Sequence, residues 1–242
     1  MKVERLNEFG IVPPKKSAFI YETPRHEIKL HTLCLACGGR GSGKTVGIVS
    51  KLKDLQDAGF CDRLFILSPT AASNQCIYDK VKHLDSDVYN NPTRESLLSI
   101  IEAIEQEAIE WDDFLVKQKK WRRALRMLGR GRRNDPFSPD LTDTTLSDCA
   151  DLEEPKSKYG HRPCIHLLID DCQGTPVFST SHKSPFVNLC LRHRHVGRGL
   201  GISLWIACQT YKSQGGLPRS VRENCTHLLL FRTKNLKSIQ QI

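Results

Sequence analysis

Eight residues early in the chain, Gly38-Gly39-Arg40-Gly41-Ser42-Gly43-Lys44-Thr45, follow the spacing G-x-x-x-x-G-K-[ST]. Glycines leave consecutive backbone N–H groups free to close around phosphate oxygens, because no Cβ blocks the approach. A helix starting at the end of such a loop points its positive N-terminus at the same anion. Lys44 reaches the β- and γ-phosphates of a nucleotide, and the Thr45 hydroxyl ligates Mg²⁺. Arg40, inside the loop, could act on the same phosphates in cis. The cofactors expected are ATP and Mg²⁺.

A second group of polar residues suits the same site. The apolar run Ile165–Ile169 ends in Asp170-Asp171. Asp170 is placed to hold Mg²⁺ through water, and Asp171 to orient or deprotonate an attacking water. Gln209 closes the apolar run Leu204–Cys208, where an uncharged amide can hydrogen-bond a γ-phosphate or the water. Arg219 and Arg222 flank Ser220-Val221 just before a last apolar run, and either could reach a neighbouring subunit's γ-phosphate as an arginine finger. The competing readings are ordinary ones: a plain Gly-rich turn, strand-terminating acids in solvent, a turn glutamine, surface cations.

These residues need elements to position them. Leu33–Cys37 reads as a buried strand before the loop, and Ile48, Leu52 and Leu55 give helical spacing after it. Arg63–Ser68 and His227–Phe231 read as further strands, with a helix within 185–195 and a short one from Pro218 to Asn224. Alternating strands and helices predict an α/β fold with a mostly parallel central sheet, in which ligands bind at the carboxyl ends of the strands. Residues 1–31 read as a lead-in segment, with an edge strand around Phe19–Tyr21, and 32–242 as the nucleotide-binding domain. Within it, about 94–160 reads as an insertion with three parts. Residues 94–116 are an amphipathic helix with an apolar stripe of Leu97, Ile101, Ile104, Ala108, Trp111 and Leu115, the acids Glu102, Glu105, Glu107, Glu110, Asp112 and Asp113 covering the rest. Residues 117–133 hold nine cations in seventeen positions, and 134–160 are acidic and polar, without an expected element.

The 242 residues allow one large domain, and the net charge of +9 favours an anionic partner besides the nucleotide. The N-terminus has no apolar core of a signal peptide, and no apolar run approaches the roughly 18 residues of a membrane span. The ten cysteines are therefore expected as free thiols in a reducing compartment. Cys34 and Cys37 fall on opposite faces of a strand. His161, Cys164 and His166 cluster in sequence, but His166 lies within a strand-like run, so buried thiols and imidazoles are preferred over a zinc site. There is no nucleophile-elbow motif.

Taken in order, the phosphate loop, the strand end Phe65-Ile66-Leu67-Ser68-Pro69-Thr70, Ile169-Asp170-Asp171, the strand-terminal Gln209 and Leu217-Pro218-Arg219-Ser220-Val221-Arg222-Glu223-Asn224 resemble the viral genome-packaging ATPases of the FtsK–HerA superfamily, in the poxvirus-like branch of large DNA viruses and related elements. Arg194–Ser203, leading into Gln209, is similar to that branch as well. The resemblance covers roughly 32–92 and 163–233. It implies a RecA/FtsK-like P-loop NTPase whose sensor strand lies between the P-loop and Asp170 strands. It also implies a homo-oligomeric ring that hydrolyses ATP to ADP and phosphate and pumps double-stranded DNA into a capsid, meeting a capsid or portal-like component. The place of action would be the host cytoplasm, the viral assembly site or the virion. Many members carry Glu where this chain has Asp171, and the resemblance would lead one to expect more chain after Phe231. Trp121 and the cations of 117–133 suit a phosphate backbone, read without sequence preference. Two other functions compete: a small-molecule or nucleotide kinase, with Arg192, Arg194 and Arg198 imitating a lid, and a non-catalytic nucleic-acid-binding scaffold.

Overall fold

The computed structural model describes residue 23 and residues 28–131, 153–178, 184–212 and 216–233. Six strands form one sheet: β1 Leu33–Cys37, β2 Arg63–Leu67, β3 Val88–Tyr89, β4 Ile165–Ile169, β5 Ile202–Cys208 and β6 His227–Leu230. Their order is β3-β2-β4-β5-β1-β6 and every pairing is parallel. Strands β1, β4 and β5 are buried along their whole length. That is why they read as continuous apolar runs rather than alternating ones.

The two faces of the sheet are covered by different helices. Helix α1, Lys44–Asp57, lays Ile48, Val49, Leu52 and Leu55 over the face that carries Cys34, Ala36, Ile66 and Trp205. Helix α2, Gln75–Tyr78, adds Tyr78 on that side. On the other face, α3 Arg94–Gly131 and α4 Pro185–Arg192 cover Leu35, Cys37, Phe65, Leu167 and Ile206. Cys34 and Cys37 thus sit on opposite faces, as strand periodicity requires. No disulfide joins any of the nine described cysteines to another. A short α5, Arg219–Glu223, precedes β6.

The α/β architecture and the central position of β5, between β1 and β4, agree with the sequence reading. Strand β3, only two residues long, gave no legible period. Helix α3 differs from expectation in three ways. It runs on through the basic stretch to Gly131 as one helix. Its buried stripe is Leu97, Ile100, Ile104 and Ala108, deep in the core, while Leu115 is exposed. And two of its acids are not simply solvated. Glu107 is buried, accepting hydrogen bonds from Arg63 Nη1 at 2.8 Å, Tyr159 Oη at 3.3 Å and Lys158 Nζ. Glu105 accepts from the Gly197 amide at 3.0 Å. The expected strand at Phe19–Tyr21, residues 132–133 of the basic stretch and residues 134–152 of the acidic one lie outside the described residues. The rest of that stretch, 153–160, has no helix or strand.

Candidate nucleotide site

Strand β1 runs directly into the glycine loop. The loop turns at Gly41 (φ 70°) and Gly43 (φ 88°), left-handed values that a side chain rarely adopts. Gly43 caps α1 without any side-chain hydrogen bond to the helix start. The first N–H groups of α1 are left uncapped by side chains and aimed outward, the arrangement an anion requires. Two glycines serve a different need. A Cβ on Gly38 would come within 2.6 Å of Phe231 Cβ, and one on Gly47 within 2.8 Å of the Phe231 ring. The residue after β6 therefore packs directly against the loop and the first turn of α1.

Lys44 is buried, with Nζ donating to the Gly39 carbonyl at 3.0 Å. Thr45 Oγ1 donates to Asp170 Oδ2 at 2.8 Å, joining the loop to the end of β4. Tyr78 Oη donates to the same Oδ2, also at 2.8 Å. Burial raises the Asp170 carboxyl above the usual carboxylate range, and the two donors offset only part of that rise. Its other oxygen, Oδ1, is buried with no hydrogen-bond partner, as is Ser42 Oγ. A buried carboxylate oxygen left without a donor is costly unless a cation or water meets it. With Thr45 alongside, that oxygen fits a hydrated Mg²⁺, whose hard oxygen preference these two ligands satisfy.

Asp171 adopts φ 53°, left-handed for a residue with a side chain. Such strain persists only where the surroundings hold it. Gln209 Nε2 donates to Asp171 Oδ1 at 3.2 Å. The Gln209 amide N–H donates in turn to Gln173 Oε1 at 2.7 Å, while Gln173 Nε2 donates to Thr210 Oγ1 at 3.2 Å. Gln173 thus cross-links the loops after β4 and β5.

The arginines are placed differently. Arg40 is exposed on the loop. Arg222 donates from Nη1 to the Tyr211 carbonyl at 2.9 Å and lies 5.3 Å over the Tyr211 ring, two residues beyond Gln209; its Nε is buried without a partner. Arg219 is exposed and pairs with Glu223 of its own helix. The fold therefore gathers Gly38–Thr45, Asp170, Asp171 and Gln209 at the carboxyl ends of β1, β4 and β5, with Arg222 tied to the loop after β5. Tyr78, Gln173 and Phe231 were not singled out from the sequence. Only the Ser68–Tyr78 stretch, rich in polar residues straight after a strand, carried any local hint of the first.

A glycine-lysine loop between β1 and α1, with a further strand between β1 and the acid-bearing β4, defines a P-loop NTPase fold of the RecA/FtsK-like kind. No protein-family model matches the chain, and no curated protein matches it. Among solved structures it is similar to the cytoplasmic domain of EssC, at 10% identity and a TM-score of 0.42 over 87% of this chain and 35% of that one. It is similar to EssC ATPases 2 and 3 from Geobacillus thermodenitrificans, at 12% identity and 0.46 over 87% and 34%. A third is the pCW3 conjugation coupling protein TcpA, in its monomer form with ATPγS, at 14% identity and 0.44 over 89% and 53%. The chain spans about a third to a half of the length of these proteins.

Proposed function

We propose that the protein is an ATPase that drives double-stranded DNA, working as a ring and serving to package a viral genome into its capsid at the assembly site in the host cytoplasm. The contact that carries the catalytic half is Gln209 on Asp171, beside the Thr45–Asp170 pair. Lys44 and the loop amides bind the triphosphate, and Thr45 and Asp170 would hold Mg²⁺, which would supply neutralisation of the phosphate charge. Asp171 takes the proton of a water attacking the γ-phosphorus, and ADP and phosphate leave. Because Gln209 holds the Asp171 carboxylate through one amide, loss of the γ-phosphate is passed to the loop after β5. Arg222, already tied to that loop, is the better candidate to read a neighbouring subunit; Arg219 is paired with Glu223 on the exposed side of α5.

DNA as the cargo rests on the motif resemblance and on α3. Its described cations Lys117, Lys119, Lys120, Arg122, Arg123 and Arg126 are all exposed along one extended helix, suited to backbone contacts without sequence preference. The capsid or portal-like partner rests on the resemblance alone. The kinase alternative is disfavoured by placement: Arg192, Arg194 and Arg198 precede β5, at the end of the sheet away from the phosphate loop, and Arg198 faces Asp112 of α3.

The test is ATPase turnover against protein concentration, with and without duplex DNA. Specific activity is expected to rise with concentration and again with DNA, and to vanish in Lys44→Ala. Flat specific activity without DNA stimulation would sink the motor reading in favour of a monomeric enzyme. DNA binding with no hydrolysis while ATP binds would favour a scaffold.

A further inference from the structure

At the opposite end of the sheet from the phosphate loop, three side chains of different chemistry converge. Asp62 and Cys164 stand one residue before β2 and β4 and are laced together by the sheet: the Asp62 amide donates to the Cys164 carbonyl at 2.9 Å, and the Cys164 amide to Asp62 Oδ2 at 2.7 Å. His161, three residues before Cys164, joins them. One ligand atom from each lies within 4.8 Å of the others. His166, which the sequence grouped with this pair, points elsewhere: it bonds the Phe60 carbonyl and Trp205.

The tautomer of His161 makes the cluster informative. Its Nδ1 lies 2.8 Å from the Tyr159 carbonyl. A carbonyl can only accept, so Nδ1 carries the proton. In the neutral ring Nε2 then bears a lone pair; it lies 3.1 Å from Asp62 Oδ2, out of line for a hydrogen bond to it. Nε2 is buried and makes no hydrogen bond. A buried ring-nitrogen lone pair left without a donor, this close to a carboxylate oxygen, is costly unless a positive charge meets it. A ring N–H held by a backbone carbonyl, with the other nitrogen aimed at further donors, is also how metal-bound histidines are oriented.

We infer that Asp62, His161 and Cys164 bind a zinc ion. One carboxylate oxygen, one imidazole nitrogen and one thiolate sulfur form a borderline-soft donor set that suits Zn²⁺ and not Mg²⁺ or Ca²⁺. The fourth position falls to water. From Cys164 to Asp170 is the length of β4, roughly 20 Å at about 3.3 Å per residue, so the zinc takes no part in nucleotide chemistry. Its effect is structural: it fastens the segment that returns from α3, 153–164, onto the start of β2. Binding releases the Cys164 thiol proton to solvent, with no change of oxidation state. The inference stands independently of the ATPase reading.

The full chain, expressed with zinc in the medium and passed over chelating resin, is analysed for metal by mass spectrometry and then loaded with Co²⁺. One zinc per chain is expected, along with a thiolate-to-cobalt charge-transfer band in the near ultraviolet. In His161→Ala and Cys164→Ser, metal affinity should drop by more than the roughly 10- to 100-fold that loss of an outer-shell partner costs, while ATP binding is kept. The cobalt band reads the unmutated chain, so it decides the matter even if a variant fails to fold. A chain free of zinc and without the band would show that only a proton sits between His161 and Asp62, overturning the inference. So would zinc retained at full stoichiometry in both variants.

Discussion

Asp170 has one oxygen held twice and the other not at all. Thr45 and Tyr78 both donate to Oδ2, fixing the carboxylate plane, and Oδ1 is left buried without a partner. Tyr78 is therefore a positioning residue, reached through a short helix after β2 rather than through any motif. Its own hydroxyl is held protonated, burial and the nearby Asp170 charge both raising it. Tyr78→Phe keeps the ring in its pocket and removes one hydrogen bond to a charged group, worth about 1.5–3 kcal/mol. The expected outcome is a roughly tenfold higher Mg²⁺ concentration for half-maximal ATP turnover, with the fold intact. Turnover titrated with Mg²⁺ measures it, and an unchanged midpoint would remove Tyr78 from the site.

At the scale of elements, α3 is anchored by both apolar packing and one buried ionic knot. Arg63, at the start of β2, reaches Asp87 with two nitrogens and Glu107 with a third, all at 2.8 Å, and lies 4.5 Å from the Phe65 ring centroid. Bonds to Asp87, then the nearby Asp87 and Glu107 charges, hold the guanidinium firmly protonated. Glu107 and Asp87 are each 3% exposed at the side chain. Removing one partner of such a set strands the others' charge, at a cost of about 3–5 kcal/mol. Glu107→Ala should lower stability by that order in denaturant unfolding, whereas truncating Leu115 of the same helix, an exposed residue, should change it by less than about 0.5 kcal/mol. Equal effects would mean that α3 is not docked through this knot. The exposed basic half beyond it takes no part in this anchoring.

For the whole molecule, the central sheet carries a pH dependence. His166 is fully buried in β4, its Nδ1 accepting from Trp205 Nε1 at 3.0 Å and its other nitrogen donating to the Phe60 carbonyl at 2.8 Å. Burial lowers its pKa from 6.5 to about 4. The unfolded chain therefore binds a proton that the folded chain refuses. The stability this represents is present above pH 6.5 and is lost as pH falls toward 4, a difference of about 3 kcal/mol. His31 is lowered to about 4 as well, mainly by burial, then by the Arg162 charge, and it steepens the same slope. Urea unfolding at pH 7, 5.5 and 4.5 should show this loss, and His166→Gln should flatten it. A slope unchanged in the variant would place the proton uptake elsewhere.

The sequence by itself determined what depends on near neighbours along the chain. The spacing of Gly38 to Thr45, the apolar runs of β1, β4 and β5, and the acids and amide that end two of them are local facts, and they sufficed for the fold class and for naming most of the residues that the fold gathers at the candidate site. Tertiary structure alone decided the rest. Tyr78 meets Asp170 across 92 residues, Gln209 meets Asp171 across 38, and Asp62 meets Cys164 across 102. The burial of Glu107, read from spacing as a solvated acid, was decided in the same way, by Arg63 arriving from another strand. Helical and strand periods report which face a residue occupies, because backbone geometry repeats every few residues. Which faces and strand ends then meet follows from the order in which strands join the sheet, and that order is set by burying all of them at once.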